Sequence, residues 1–258
     1  MDTPGDGGRG IKMHRATRIL IVDYGMGNLH SVRKAFEACG GAVALAGDPG
    51  EVAAADALVV PGVGSFGDCA GGLARSGMKD AVAGFIRSGR PYLGLCLGLQ
   101  ILFPSSEEAP GVPGLGIIPG RVRRFSGSLK IPHVGWNTIA FPGGGDARTP
   151  ARGAGVQDPA RLGIDPPPAG RCPIFRGVQD GAYVYFAHSF YPEPEDPAVS
   201  ASATEYGMTF ASAIWKDNII ATQFHPEKSQ RAGLAMIRNF VAFAAERAAA
   251  RPANGDEP

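Results

Sequence analysis

The sequence predicts an α/β fold: a mostly parallel central sheet flanked by helices, with an additional mixed or antiparallel sheet region in its second half. Two observations predict it. Short, mostly apolar runs at residues 18–23 (RILIVD), 57–60 (ALVV) and 91–95 (PYLGL) alternate with helix-period segments, the signature of strands buried on both faces. From residue 120 onward, strand-like runs follow one another without long helices between them. The 258 residues suit one large α/β domain or two small ones, and 44% hydrophobic against 19% charged content suits a globular core.

Residues 1–16 read as an unstructured extension, since they offer glycine, proline and charge but little to bury. Met13 is an alternative start. The first strand, 18–23, leads through a glycine loop into a helix capped by Asn28 and stopped by Gly40, with Leu29, Val32, Phe36 and Cys39 on one face. Strands are expected at 42–45 and 57–60, the latter running into Pro61-Gly62-Val63-Gly64. A helix occupies part of 69–88, and 91–95 delivers the chain to Cys96. Further strands are expected at 120–125, 131–139, 182–190, 209–215 and 219–224. Between them, residues 142–173 carry 14 Gly or Pro in 32 and read as a surface insertion. The last helix begins near Ser229, with Leu234, Ile237, Val241 and Ala244 as its apolar stripe; the tail 251–258 frays. One domain, 17–250, results.

The net charge of +1 shows no basic excess of the kind a phosphate-reading nucleic-acid binder carries. Four cysteines (Cys39, Cys69, Cys96, Cys172) form no CxxC pair, which argues against a zinc site or a disulfide scaffold and for a reducing cytoplasm. Neither a signal peptide nor a run of about 20 apolar residues is visible, so no membrane role is expected.

Gly94-Leu95-Cys96-Leu97-Gly98 has the form of a nucleophile elbow. A sharp strand-to-helix turn exposes its central side chain only when small flanking residues let strand and helix approach, and a helix N-terminus suits a thiolate. The same pentapeptide also fits a buried core cysteine beside packing glycines. In His225-Pro226-Glu227, Pro226 biases His225 toward an extended backbone, where residues two apart share a side and the carboxylate can orient the imidazole. A strand-ending turn fits that tripeptide as well. Together Cys96, His225 and Glu227 supply nucleophile, base and orienter for acyl transfer. The backbone N–H of Leu97 and one within Gly62, Val63 and Gly64 are candidate oxyanion donors.

Six segments, 23–29 (DYGMGNL), 61–64 (PGVG), 94–100 (GLCLGLQ), 132–137 (PHVGWN), 185–189 (YFAHS) and 225–230 (HPEKSQ), appear in an order that resembles the glutaminase subunits of imidazole glycerol phosphate synthase. These are class I, triad-type glutamine amidotransferases. The resemblance spans residues 18–247 apart from the insertion. It implies a flavodoxin-like domain in which Cys96 attacks the glutamine side-chain amide, His225 protonates the departing ammonia and Glu227 orients His225. Gln100, His188, Ser189 and Phe190 would help hold glutamine. No cofactor or metal is implied. The implied partner is a separate (β/α)8 barrel cyclase forming a heterodimer with this chain, for histidine synthesis, with Asn28, Arg124, Trp136, Asn137 and Lys228 as interface candidates. The N-terminal extension and the insertion depart from the family core, and Phe190 stands where tyrosine is common. Glutaminases of other class I enzymes, a cysteine peptidase or thiol hydrolase, and a non-catalytic scaffold for the cyclase are the competing readings.

Overall fold

The computed structural model describes residues 17–127, 130–142 and 171–251. The expected N-terminal extension, nearly all of the 142–173 insertion and the tail beyond Arg251 lie outside the described residues.

A seven-stranded sheet runs in the order β2 (Val43–Ala46), β1 (Ile19–Val22), β3 (Ala57–Val60), β4 (Tyr92–Leu95), β11 (Ile219–Thr222), β10 (Thr209–Lys216), β9 (Ser200–Glu205). The first five are parallel, and β10 and β9 add antiparallel to β11. Every residue of β1, β3, β4 and β11 is buried. The reason is alternation: Ile19 and Ile21 enter one core with Phe36 and Phe240, while Leu20 and Val22 enter another with Phe66 and Phe85. Helices α1 (Leu29–Ala38) and α6 (Gln230–Ala249) cover the first face; α3 (Phe66–Arg75) and α4 (Met78–Arg87) cover the second. Two small antiparallel sheets complete the second half, β5 (Gly120–Arg124) with β8 (Phe190–Pro194) and β6 (His133–Thr138) with β7 (Tyr183–His188).

The structure corrects several expectations. The helix expected within 69–88 is two helices, α3 starting at Phe66 behind a Ser65 cap and α4 behind Gly77, whose φ of 70° breaks the run. A short α2 (Pro49–Ala53), with a capping box from Asp48 and Glu51, was not anticipated. The run 182–190 divides at Ser189 into β7 and β8. β9, reading Ser-Ala-Ser-Ala-Thr-Glu, lacks the large side chains that mark a strand, yet Ser202 and Thr204 are buried and hydrogen-bonded. The stripe of α6 is rotated: Gly233, Met236, Ile237, Phe240, Phe243 and Ala244 are buried, whereas Leu234 and Val241 sit at its margin.

Candidate active site

β4 and β11 are neighbours in register, with Leu95 opposite Thr222, so their carboxyl ends release Cys96 and residues 223–227 side by side. The Cys96 N–H donates to the Thr222 carbonyl at 2.8 Å, tying the elbow to β11. Cys96 has φ 53° and ψ −101°, a sparsely populated conformation for a residue with a side chain, held because everything around it is packed. The helix α5 (Leu97–Gln100) follows at once. A Cβ on Gly94 would stand 2.4 Å from the Gly98 carbonyl oxygen, and one on Gly98 would stand 1.9 Å from that of Val60. Steric exclusion therefore dictates both glycines of the elbow. Gly62 belongs to the same packing, since its Cβ would meet that of Leu97 at 2.4 Å. The 61–64 loop thus abuts the elbow, with its Pro61 carbonyl accepting from the Tyr24 hydroxyl at 2.7 Å and Gly64 at φ 100°.

His225 Nδ1 lies 2.8 Å from Glu227 Oε1, with the two side chains only 4% and 3% exposed. The contact was expected from an extended segment. His225 is extended (φ −104°, ψ 94°), but Pro226–Lys228 forms a single 3-10 turn that folds the carboxylate back. The His225 backbone is fixed at both ends: its N–H donates to the Tyr185 carbonyl at 2.9 Å, and its carbonyl accepts from the Ser229 hydroxyl. Burial pushes the imidazole pKa down, but its hydrogen bonds to Cys96 and Glu227 outweigh this and raise it to about 10. With Nδ1 on Glu227, Nε2 remains for the sulfur. An imidazolium between a sulfur and a carboxylate can deliver a proton to a leaving group.

Gln100 is buried, its Nε2 donating to the Phe190 carbonyl at 3.0 Å and to Gln223 Oε1 at 3.1 Å. Its Oε1 and Glu227 Oε2 are buried without a hydrogen-bond partner among the described residues. Sequence reasoning missed Gln223, which is fully buried and places Nε2 3.6 Å from Cys96 Sγ. Only its position directly after an apolar strand hinted at it. His188 is buried, with Nδ1 2.8 Å from the Phe190 carbonyl and Nε2 3.0 Å from His133 Nδ1. Both its ring nitrogens are engaged, so a polar contact of His188 itself with a substrate falls to its backbone. The Ser189 carbonyl accepts from the Phe125 N–H.

The interface candidates divide. Trp136 is 46% exposed and packs edge-on against Tyr185, beside exposed Val134 and Tyr183, and Lys228 Nζ sits 5.8 Å over the Tyr185 ring. Arg124 is exposed. Asn137 instead turns its amide to His133 and to the Glu205 carbonyl, and Asn28 spends its side chain capping α1. Among the described residues no cluster of His, Cys, Asp and Glu has the form of a metal site, and no helix is long and apolar enough to cross a membrane.

A cysteine on a strained strand-to-helix turn, an imidazole facing it and a carboxylate behind the imidazole, all on the carboxyl edge of a parallel sheet, form the arrangement that thiol acyl transfer requires. The class I glutamine amidotransferase family model matches residues 20–243. The imidazole glycerol phosphate synthase subunit HisH of Syntrophotalea carbinolica is 47% identical over 86% of this chain and 98% of its own length. Its counterpart in Gloeobacter violaceus is 46% identical over 93% and 96%. Among solved structures, PurLQS from Thermotoga maritima shares the fold at a TM-score of 0.64 with 16% identity, covering 89% of this chain and 99% of that one. The chain belongs to the class I glutamine amidotransferases and, within them, to the glutaminase subunits of imidazole glycerol phosphate synthase.

Proposed function

We propose that Cys96, His225 and Glu227 carry out the glutaminase reaction. The Cys96 sulfur attacks the side-chain amide carbon of glutamine, the C–N bond breaks as His225 Nε2–H protonates the departing ammonia, and a glutamyl thioester remains. Water, giving a proton to His225, then attacks the thioester carbonyl and releases glutamate and the cysteine. Glu227 holds the imidazole in orientation and compensates its charge. The N–H of Leu97 and one from the Gly62-Val63-Gly64 loop stabilise the oxyanion, for which their adjacency to the elbow suits them. Gln100 Oε1, a buried acceptor without a partner among the described residues, takes an N–H donor of the bound glutamine, and residues 188–190 border it.

Ammonia is protonated and non-nucleophilic in neutral water, so it is useful only when handed to an acceptor. The relatives are named as subunits of a synthase, and the partner here is its cyclase subunit, a (β/α)8 barrel, in a heterodimer. The exposed apolar strip of Val134, Trp136 and Tyr183, with Lys228 at its edge, is the docking face. A reducing, cytoplasmic setting accords with four free cysteines.

The observation that carries this reading is the buried contact of His225 with both Cys96 and Glu227. It is tested by acid-quenching the cyclase complex during glutamine turnover and mapping the chain by mass spectrometry. One glutamyl group on the Cys96 peptide is expected. Turnover with no adduct there, under conditions that preserve thioesters, contradicts it.

A further inference from the structure

A chain of hydrogen bonds joins the docking strand to the sulfur, and its donors and acceptors admit a single arrangement. The Phe190 carbonyl can only accept, so Gln100 presents Nε2–H to it and His188 presents Nδ1–H. Burial lowers the His188 pKa to about 3 and the His133 pKa to about 4, so both rings are neutral. His188 Nε2 is then an acceptor, filled by His133 Nδ1–H at 3.0 Å, and His133 Nε2 accepts from the Asn137 amide at 3.3 Å. The Asn137 amide is itself oriented, because its Oδ1 accepts from the Thr138 N–H and its Nδ2 donates to the Glu205 carbonyl. On the inner side, Gln100 Nε2–H also donates to Gln223 Oε1, which forces the Gln223 amide to present its own N–H to Cys96 Sγ. The histidines cannot drift, since His133 stacks on Phe186 and Tyr206 and His188 packs against Phe125 and Phe210.

We propose that Gln223 is a further catalytic residue, donating Nε2–H to the Cys96 sulfur, and that Gln100, His188, His133 and Asn137 are positioning residues that fix its amide from the docking strand inward. This rests on Cys96 being the nucleophile. A fixed donor on the sulfur stabilises the thiolate and aims it, and the anchoring of the far end on β6 ties that aim to the strand carrying Trp136.

The test is the rate of Cys96 carboxamidomethylation by iodoacetamide in the full-length chain at fixed pH, read on the Cys96 peptide alone, together with kcat and KM for glutamine in the cyclase complex. Losing the hydrogen bond to the sulfur in Gln223→Met lowers the alkylation rate and kcat about tenfold, with KM changed less than about twofold. His188→Leu lowers the alkylation rate about fivefold, whereas His188→Asn, whose amide reaches where Nδ1 sits, stays within about twofold of wild type. Asn137→Ala, at the half-exposed end, lowers it about twofold and serves should His188→Leu not fold. In the Gln223→Met background none of these changes lowers the rate further. A Gln223→Met chain alkylated at the wild-type rate, or losses that multiply in the double variants, overturns the proposal. Ammonia release from glutamine by Cys96→Ala would instead sink the nucleophile assignment itself, so the two failures are distinct.

Discussion

Gly98→Ala should be far more damaging than its size suggests. The added Cβ lies 1.9 Å from the Val60 carbonyl oxygen, where ordinary contact begins near 3.4 Å, so strand β3 and helix α5 must part by about 1.5 Å. Neither can do so freely. Val60 is fully buried in the centre of the sheet, and α5 is tied through the Leu99 and Gln100 N–H groups to the Cys96 carbonyl. Overpacking of this kind costs about 1 to 3 kcal/mol or more, against about 1 kcal/mol gained by alanine over glycine in a helix. A net loss of about 2 kcal/mol in urea unfolding is expected, and displacing the sulfur by about 1 Å lowers kcat about 100-fold. Gly84→Ala is the control, since its Cβ in α4 meets nothing within 4 Å among the described residues and should stabilise by about 0.5 to 1 kcal/mol. Equal unfolding midpoints and equal kcat for the two variants would refute the steric account of the elbow.

Two further outcomes follow from the site. The His225 pKa, raised in the folded chain to about 10 from 6.5, contributes stability that is complete below pH 6.5 and is lost as pH rises through 10. Glu227→Gln removes one cause of that shift, so urea unfolding of the variant should fall less than wild type between pH 6.5 and 10, while kcat drops about 100-fold or more. A variant with the wild-type pH slope would show that the carboxylate does not hold the imidazolium. Trp136→Ala should weaken cyclase binding by about 2 kcal/mol, a roughly 30-fold rise in Kd by titration calorimetry, and leave the unfolding midpoint of the isolated chain within about 2 °C. Unchanged Kd would remove this face from the interface.

The parallel half of the sheet is legible because buried strands leave continuous apolar runs, and β1, β3 and β4 lie within a residue of their expected bounds. β9 is illegible for the opposite reason: its burial is satisfied by hydroxyl hydrogen bonds between Ser202 and Ser212 and from Thr204 to the Thr138 carbonyl, which depend on tertiary partners. Cys96, His225 and Glu227 are visible because elbow glycines and a proline constrain their neighbours locally. Gln223 was missed since a glutamine after a strand has no local constraint to betray it, and its amide is oriented by Gln100, 123 positions away. His188, read as a substrate contact, has both ring nitrogens committed, and only the pairing of β6 with β7 reveals that His133 faces it.

In the proposed reaction one buried sulfur performs the deamidation while the acceptor chemistry belongs to the other subunit. Its most direct test is Cys96→Ala assembled with the cyclase and assayed with glutamine and, separately, with ammonium salt. Cyclisation should vanish with glutamine and persist with ammonia at the wild-type rate. Glutamine-supported turnover by that variant would contradict the assignment.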